Sequence, residues 1–212
     1  MAYSVARTDN LMGTDVRSAL VSVKYYHNNA PAEIENGHVL KVTELLDKER
    51  EVYKAVDTAV TDSLNEIVLV VGPELIYDDR KKRLDEFVNA ADEPARAYRL
   101  HNGDTFSVTK NALVGAAEPA VGDIVELAAG NKLSVSPKAV GGTVGSTKVG
   151  RILHIEDTGM YLYYTVLVVA QGADAPAVAT TSVDNDGLCS FKDSSGNTLF
   201  TLQLPIYDGT VI

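Results

Sequence analysis

Three short segments of this chain share one pattern. Asn36-Gly-His-Val-Leu-Lys-Val42, Asn102-Gly-Asp-Thr-Phe-Ser-Val108 and Val121-Gly-Asp-Ile-Val-Glu-Leu127 each run from a turn glycine to a polar residue and then to alternating side chains. Alternation with a period of two is what a strand with one buried face produces. The glycine before it supplies the positive φ of a tight turn. The pattern predicts similar strand openings into a small barrel or sandwich, a mainly β fold.

The rest of the chain repeats the theme. Ala19-Leu-Val-Ser-Val-Lys-Tyr-Tyr26 alternates as a strand and meets the breaker cluster Asn28-Asn-Ala-Pro-Ala32. Ile67-Val-Leu-Val-Val71, closed by Gly72-Pro73, reads as a fully buried strand. Leu45, Val52, Tyr53, Val56 and Val60 fit a helical stripe, but Glu51-Val-Tyr-Lys-Ala-Val56 also fits a strand, and its β surroundings favour the strand. Asp78 to Phe87 is densely charged and predicts a helical turn or two, with Leu84, Phe87 and Val88 facing inward. Val149 to Ile155 and Tyr161 to Val169 should pair across a turn at Asp157-Thr-Gly159, with His154 outward, and the Gly-, Thr- and Ser-rich run Gly141 to Gly150 reads as a mobile loop. The expected organisation is an N-terminal arm and strand over 1–33, a barrel or sandwich core over 34–172, a linker over 173–187 and a C-terminal β-hairpin unit over 188–212. An isolated hairpin is marginal in water, so that last unit should need a neighbour.

Charge and cysteine content narrow the function classes. Lys plus Arg number 19 against 29 Asp plus Glu, a net charge of −10 that disfavours nucleic acid and anionic membranes as partners. A single cysteine, Cys189, rules out an internal disulfide and a multi-thiolate zinc site, and points to synthesis in a reducing cytoplasm. No run approaches the about 20 apolar residues of a membrane-spanning helix, and Met1 to Asn10 lacks the basic and apolar regions of a signal peptide.

The search for chemistry returns little. His27, His38, His101 and His154 have no metal-ligand spacing and read as surface or turn residues. Gly141-Gly-Thr-Val-Gly-Ser-Thr-Lys148 lacks the Gly-Lys-Ser/Thr ending of a phosphate loop, and no Gly-x-Ser-x-Gly elbow is present. Asp184, Asp186 and Gly187 lack the later acidic ligand of a calcium loop. Cys189 lies in an alternating strand, as a small buried hydrophobe would. The expectation is therefore not an enzyme, with no cofactor and no metal. The candidate contact residues are the basic run Arg80, Lys81, Lys82 and Arg83, suited to an acidic partner surface, and Tyr25 and Tyr26, since tyrosine favours interfaces.

From Glu35-Asn-Gly-His38 to Leu127 the sequence resembles the head decoration, or cement, proteins of tailed bacteriophages, which are encoded beside the major capsid protein. The resemblance rests on Asn36 to Val42, Pro73-Glu-Leu-Ile-Tyr-Asp78, Pro94-Ala-Arg-Ala-Tyr-Arg-Leu-His-Asn-Gly-Asp-Thr-Phe-Ser-Val108 and Val121 to Leu127. It leaves the C-terminal hairpin outside. It implies a β-barrel or sandwich that binds the capsid exterior, with the major capsid protein as partner, often as a homo-trimer. The virion is the implied location. Head fibre, tail or baseplate component, carbohydrate-binding or adhesin module, and enzyme with an unfamiliar site are the competing expectations. The absence of Trp weighs against sugar stacking.

Overall fold

The computed structural model describes residues 2–76, 80–81, 83–140, 142–143 and 145–171, together with strand backbones at 180–183, 188–192, 198–203, 206–207 and 210–211. The chain divides into two compact units, Met1–Gly172 and Ala173–Ile212. The fold is mainly β, and every helical segment among the described residues is a single 3₁₀ turn.

The first unit holds a closed barrel and a curled open sheet. The strands run β1 (Ala6–Asn10), β2 (Leu20–His27), β3 (Ala30–Pro31), β4 (Val39–Leu45), β5 (Val52–Val56), β6 (Ile67–Val70), β7 (Ala95–Arg99), β8 (Thr105–Thr109), β9 (Leu113–Gly115), β10 (Ile124–Leu127), β11 (Leu133–Ser136), β12 (Lys148–Asp157) and β13 (Leu162–Gln171). The barrel order is β2-β5-β4-β6-β7, and β7 pairs back onto β2 to close it. The seven-stranded sheet runs β1-β8-β13-β12-β10-β11-β9. The stretch that fitted both a helical stripe and a strand resolves in favour of the strand β5, because its parallel pairing with β2 completes the barrel wall.

β6 shows how the two layers meet. Val68 and Val70 point into the barrel with Val21, Val23, Leu40 and Ala97. Ile67 and Leu69 point the other way and join Phe106, Val125, Leu133, Ile152 and Val166 of the curled sheet. Both faces are apolar because both are covered. β7 divides likewise, with Ala95 and Ala97 inside the barrel and Tyr98 on the shared wall.

The three turn-glycine segments share a backbone device. Gly37, Gly103 and Gly122 have φ of 86°, 95° and 92°. At two of them the next residue is a buried aspartate that stitches the turn. Asp104 accepts from His101 N at 2.8 Å and Met12 N at 3.0 Å, and Asp123 accepts from Ala120 N at 2.9 Å and Lys138 N at 3.0 Å. Only the first segment opens a barrel strand, β4; the other two open β8 and β10 of the curled sheet. Local turn chemistry sets a strand opening, and long-range pairing decides which sheet receives it.

Several expectations are corrected. The strand expected at the end of residues 1–33 is β2, but the described stretch before it is packed rather than an arm. Val5 and Leu11 are buried, β1 pairs with β8, and β2 is a barrel stave. The turn at Leu84–Glu86 is 3₁₀ and inverted relative to the apolar reading: Leu84 is exposed and Asp85 is buried. His154 does point outward, but a bulge between Ile152 and His154 turns Leu153 outward beside it. Within the run Gly141 to Gly150, expected to be a mobile loop, the described residues Thr143, Ser146 and Thr147 are tethered or buried. The buried Glu126 carboxylate accepts from Thr143 N and Ser146 Oγ, each at 2.7 Å, and Thr147 is buried.

In the second unit, β14 (Thr180–Val183), β15 (Leu188–Lys192) and β16 (Thr198–Gln203) form one sheet, and β17 (Ile206–Tyr207) pairs with β18 (Thr210–Val211). The expected linker therefore contains a strand, because the β-branched run Thr180-Thr-Ser-Val183 completes an edge beside β15. The acidic positions Asp184 and Asp186, with Gly187, lie outside the described residues.

Candidate interaction surface

The hairpin β12–β13 ends in a locked turn. Gly159, at φ 79°, donates its N–H to Asp157 Oδ1 at 2.7 Å. Thr158 N–H donates to Tyr161 O at 3.1 Å, and Tyr161 N–H donates back to Thr158 Oγ1 at 3.1 Å. This rigid tip lifts two apolar side chains into solvent, Met160 at 67% exposure and Leu162 at 43%.

Behind the tip, two distant segments converge on one carboxyl-bearing turn, where Arg83 joins them. Tyr161 Oη donates to Asp85 Oδ1 at 3.3 Å, Arg83 Nη2 donates to Asp85 Oδ2 at 2.9 Å, and Tyr3 N–H donates to Asp85 O at 2.8 Å. The hydrogen bond with Tyr161, then the charge of Asp85, hold the Arg83 guanidinium pKa above its ordinary value. Asn111 Nδ2 donates to Ala2 O at 2.8 Å and ties down the N-terminal end. A shallow depression of about 210 Å³ results, lined by Tyr3, Arg83, Lys110, Met160, Tyr161 and Leu162.

The curled sheet stiffens this corner. Arg7 on β1 pairs with Glu156 at 2.7 Å and Asp9 at 3.3 Å, and its guanidinium stands 4.4 Å over the Tyr163 ring. Ser107 Oγ donates to Asp9, and lies 2.8 Å from Thr165 Oγ1. Burial pushes the Tyr163 hydroxyl pKa up, with Arg7 opposing. These cross-strand contacts hold edge strand β1 and the tip hairpin as one surface.

The sequence-derived contact residues fare unequally. Tyr25 is 5% exposed, so it is not a contact residue. Its hydroxyl donates to Asp57 at 2.6 Å and accepts from Asn131 at 3.2 Å, and burial, then Asp57, push its pKa to about 12. It was offered as a contact because tyrosine favours interfaces, but on β2 it shares the buried face of Val21 and Val23. Tyr26 is half-buried, with Lys54 Nζ 5.6 Å above its ring. Arg80 and Lys81 are exposed, Lys82 lies outside the described residues, and Arg83 is the member of the run joined to the tip. Met160 and Leu162 were missed. Their available signal was an apolar residue directly after the turn Asp157-Thr-Gly159.

The histidines are scattered. His27 Nδ1 lies 2.6 Å from Asp57, His101 Nδ1 lies 3.8 Å from Asp104, and His154 is exposed. His38 departs from the surface reading: it is 3% exposed. Among the described residues no three His, Cys, Asp or Glu side chains gather as a metal site, and no helix is long and apolar enough to cross a membrane.

Chemically the tip presents a polarizable thioether and a leucine, with arginine, lysine and tyrosine around them. Comparison with family models, curated proteins and solved structures finds no match.

Proposed function

We propose that the protein is a head decoration protein of a tailed bacteriophage, binding the capsid exterior through the Met160 tip and bridging neighbouring capsid subunits. The observation that carries the reading is the pair Met160 and Leu162, exposed on a turn locked by its own hydrogen bonds and tied to Asp85. Two apolar side chains grouped on one hydrogen-bonded projection, rather than scattered singly, mark a candidate contact surface. The resemblance over Glu35 to Leu127 supplies the class of partner, the major capsid protein.

A cement protein adds buried area across joints that internal pressure would open. Its useful property is a stiff body with a preformed contact, because order present before docking is not lost on docking. The closed barrel backed by a curled sheet provides such a body. Placement where capsid subunits meet around a symmetry axis favours a trimer, and gel filtration with light scattering tests that part.

The test of the contact is capsid binding by wild type and by Met160→Asp/Leu162→Asp. Wild type should co-sediment with mature capsids at fixed stoichiometry, and the variant should remain in the supernatant while keeping its melting temperature. Equal binding by both proteins would remove the tip from the contact. No binding by wild type would remove the function.

A further inference from the structure

One mouth of the barrel is formed by the starts of β2, β5 and β6 and the ends of β4 and β7, as the pairings Leu20↔Tyr98, Ser22↔Val52, Leu45↔Tyr53 and Val68↔Arg99 require. A groove of about 600 Å³ opens there, lined in part by Arg17, Arg50, Arg99, Glu51, Ser22 and Tyr53. Three guanidinium groups face one carboxylate, on a chain whose net charge is −10.

These arginines are little used within the fold. Arg17 Nη2 lies 3.7 Å from Glu51 Oε1, a long contact between side chains 91% and 79% exposed, so solvent screens it. Arg99 Nη1 donates to the carbonyl of Asn65 at 3.1 Å, leaving most of its fork unused. Arg50 is exposed and makes no ion pair or side-chain hydrogen bond among the described residues. An acidic protein that gathers cations at the open end of a barrel concentrates positive potential in a concave place.

We propose that this groove binds a carboxylate-bearing segment of a partner protein. A guanidinium presents a planar fork that matches a carboxylate through two parallel hydrogen bonds. Ser22 offers a hydroxyl for the segment's backbone, and Tyr53 offers an apolar and aromatic wall. The excess of acid elsewhere selects the class of ligand. A long polyphosphate chain runs past the groove into the repulsion of the remaining surface. A short acidic segment stays within the about 8 Å over which charges are felt at physiological salt. The site is built from different residues than the Met160 tip and does not depend on capsid binding.

The experiment titrates the full-length protein into a fluorescein-labelled oligoglutamate peptide and reads anisotropy. Parallel titrations use oligolysine and a single-stranded DNA long enough to run past the groove. The variants are Arg50→Gln/Arg99→Gln and the single Arg50→Gln, whose exposed site keeps the fold intact if the double variant does not fold. The expected result is saturable binding of oligoglutamate, none of oligolysine, weak binding of DNA, and a dissociation constant raised about tenfold by the double variant and measurably by Arg50→Gln, which ties binding to these guanidinium groups. Absence of saturable binding overturns the proposal, as does binding that neither variant changes. DNA binding equal to that of oligoglutamate makes the groove a general anion site and overturns the carboxylate assignment. Self-association that is lost in the single variant identifies a second copy as the occupant and overturns the partner assignment.

Discussion

Titrating His38 should expose a stability cost built into the entry to β4. The imidazole is 3% exposed, and neither ring nitrogen has a hydrogen-bond partner among the described residues. Glu35 Oε2 is the nearest acid, 3.8 Å from Nε2, and is already accepting from Ser4 N at 2.6 Å. Burial lowers the His38 pKa to about 4, outweighing the pull of Glu35, and Lys132 pushes the same way as burial. A base whose folded pKa lies below its unfolded value charges first in the unfolded chain. Stability is therefore full above about pH 6.5, falls as pH drops toward 4 and levels off below it. The gap between 6.5 and about 4 corresponds to on the order of 3 kcal/mol. That is a large share of the about 5–15 kcal/mol that holds a domain together.

His38→Leu isolates this effect, because it keeps a side chain of similar volume and removes the titrating group. Urea unfolding followed by tyrosine fluorescence, at about pH 7.5 and about pH 4.5, gives the free-energy loss for each protein. Wild type should lose roughly 2–3 kcal/mol more than the variant between those pH values. Near neutral pH the variant should match wild type or exceed it, since an unpartnered buried polar group is removed. Equal losses in both proteins would refute the burial argument.

Three further substitutions probe the packing. Gly150→Ala would place a Cβ 1.9 Å from the Leu167 carbonyl oxygen where β12 crosses β13, so its melting point should fall by the equivalent of at least about 1–3 kcal/mol, read by calorimetry. Phe106→Ala empties the centre of the shared core, where the ring is 0% exposed, and should cost about 3–5 kcal/mol in denaturant titration. Asn36→Ala removes the amide that accepts from Gly72 N at 2.9 Å and donates to Gly72 O at 3.0 Å, and should cost about 1–3 kcal/mol for each backbone group left unpartnered. Accelerated amide exchange at Gly72, read by mass spectrometry, checks that last loss directly.

What could be read from the sequence follows a physical boundary. Period-two alternation located β4, β8, β10 and the hairpin β12–β13, because each has a face turned to a core. The apolar run at β6 announced two covered faces, but not that one would be a barrel interior and the other a neighbouring sheet. That distinction comes from pairings such as β2 with β7 and β1 with β8, between segments far apart in the chain. Buried polar residues were the harder class. Asp85, Asp104, Asp123 and Glu126 look like surface acids in the sequence and are turn and loop anchors in the fold. The candidate site divides in the same way. Arg83 was visible as part of a basic run, whereas Tyr25 looked available until the barrel closed over it. Met160 gains its meaning from the turn beneath it and from Asp85, which approaches from a remote segment.

Electron microscopy of mature capsids of the phage to which the proposal would assign it, incubated with purified protein, tests the capsid reading most directly. The account predicts stoichiometric density at fixed positions between capsid subunits, with the β12–β13 tip pressed against the shell. Bare capsids at saturating protein, or bound protein whose Met160 tip faces solvent, would contradict it.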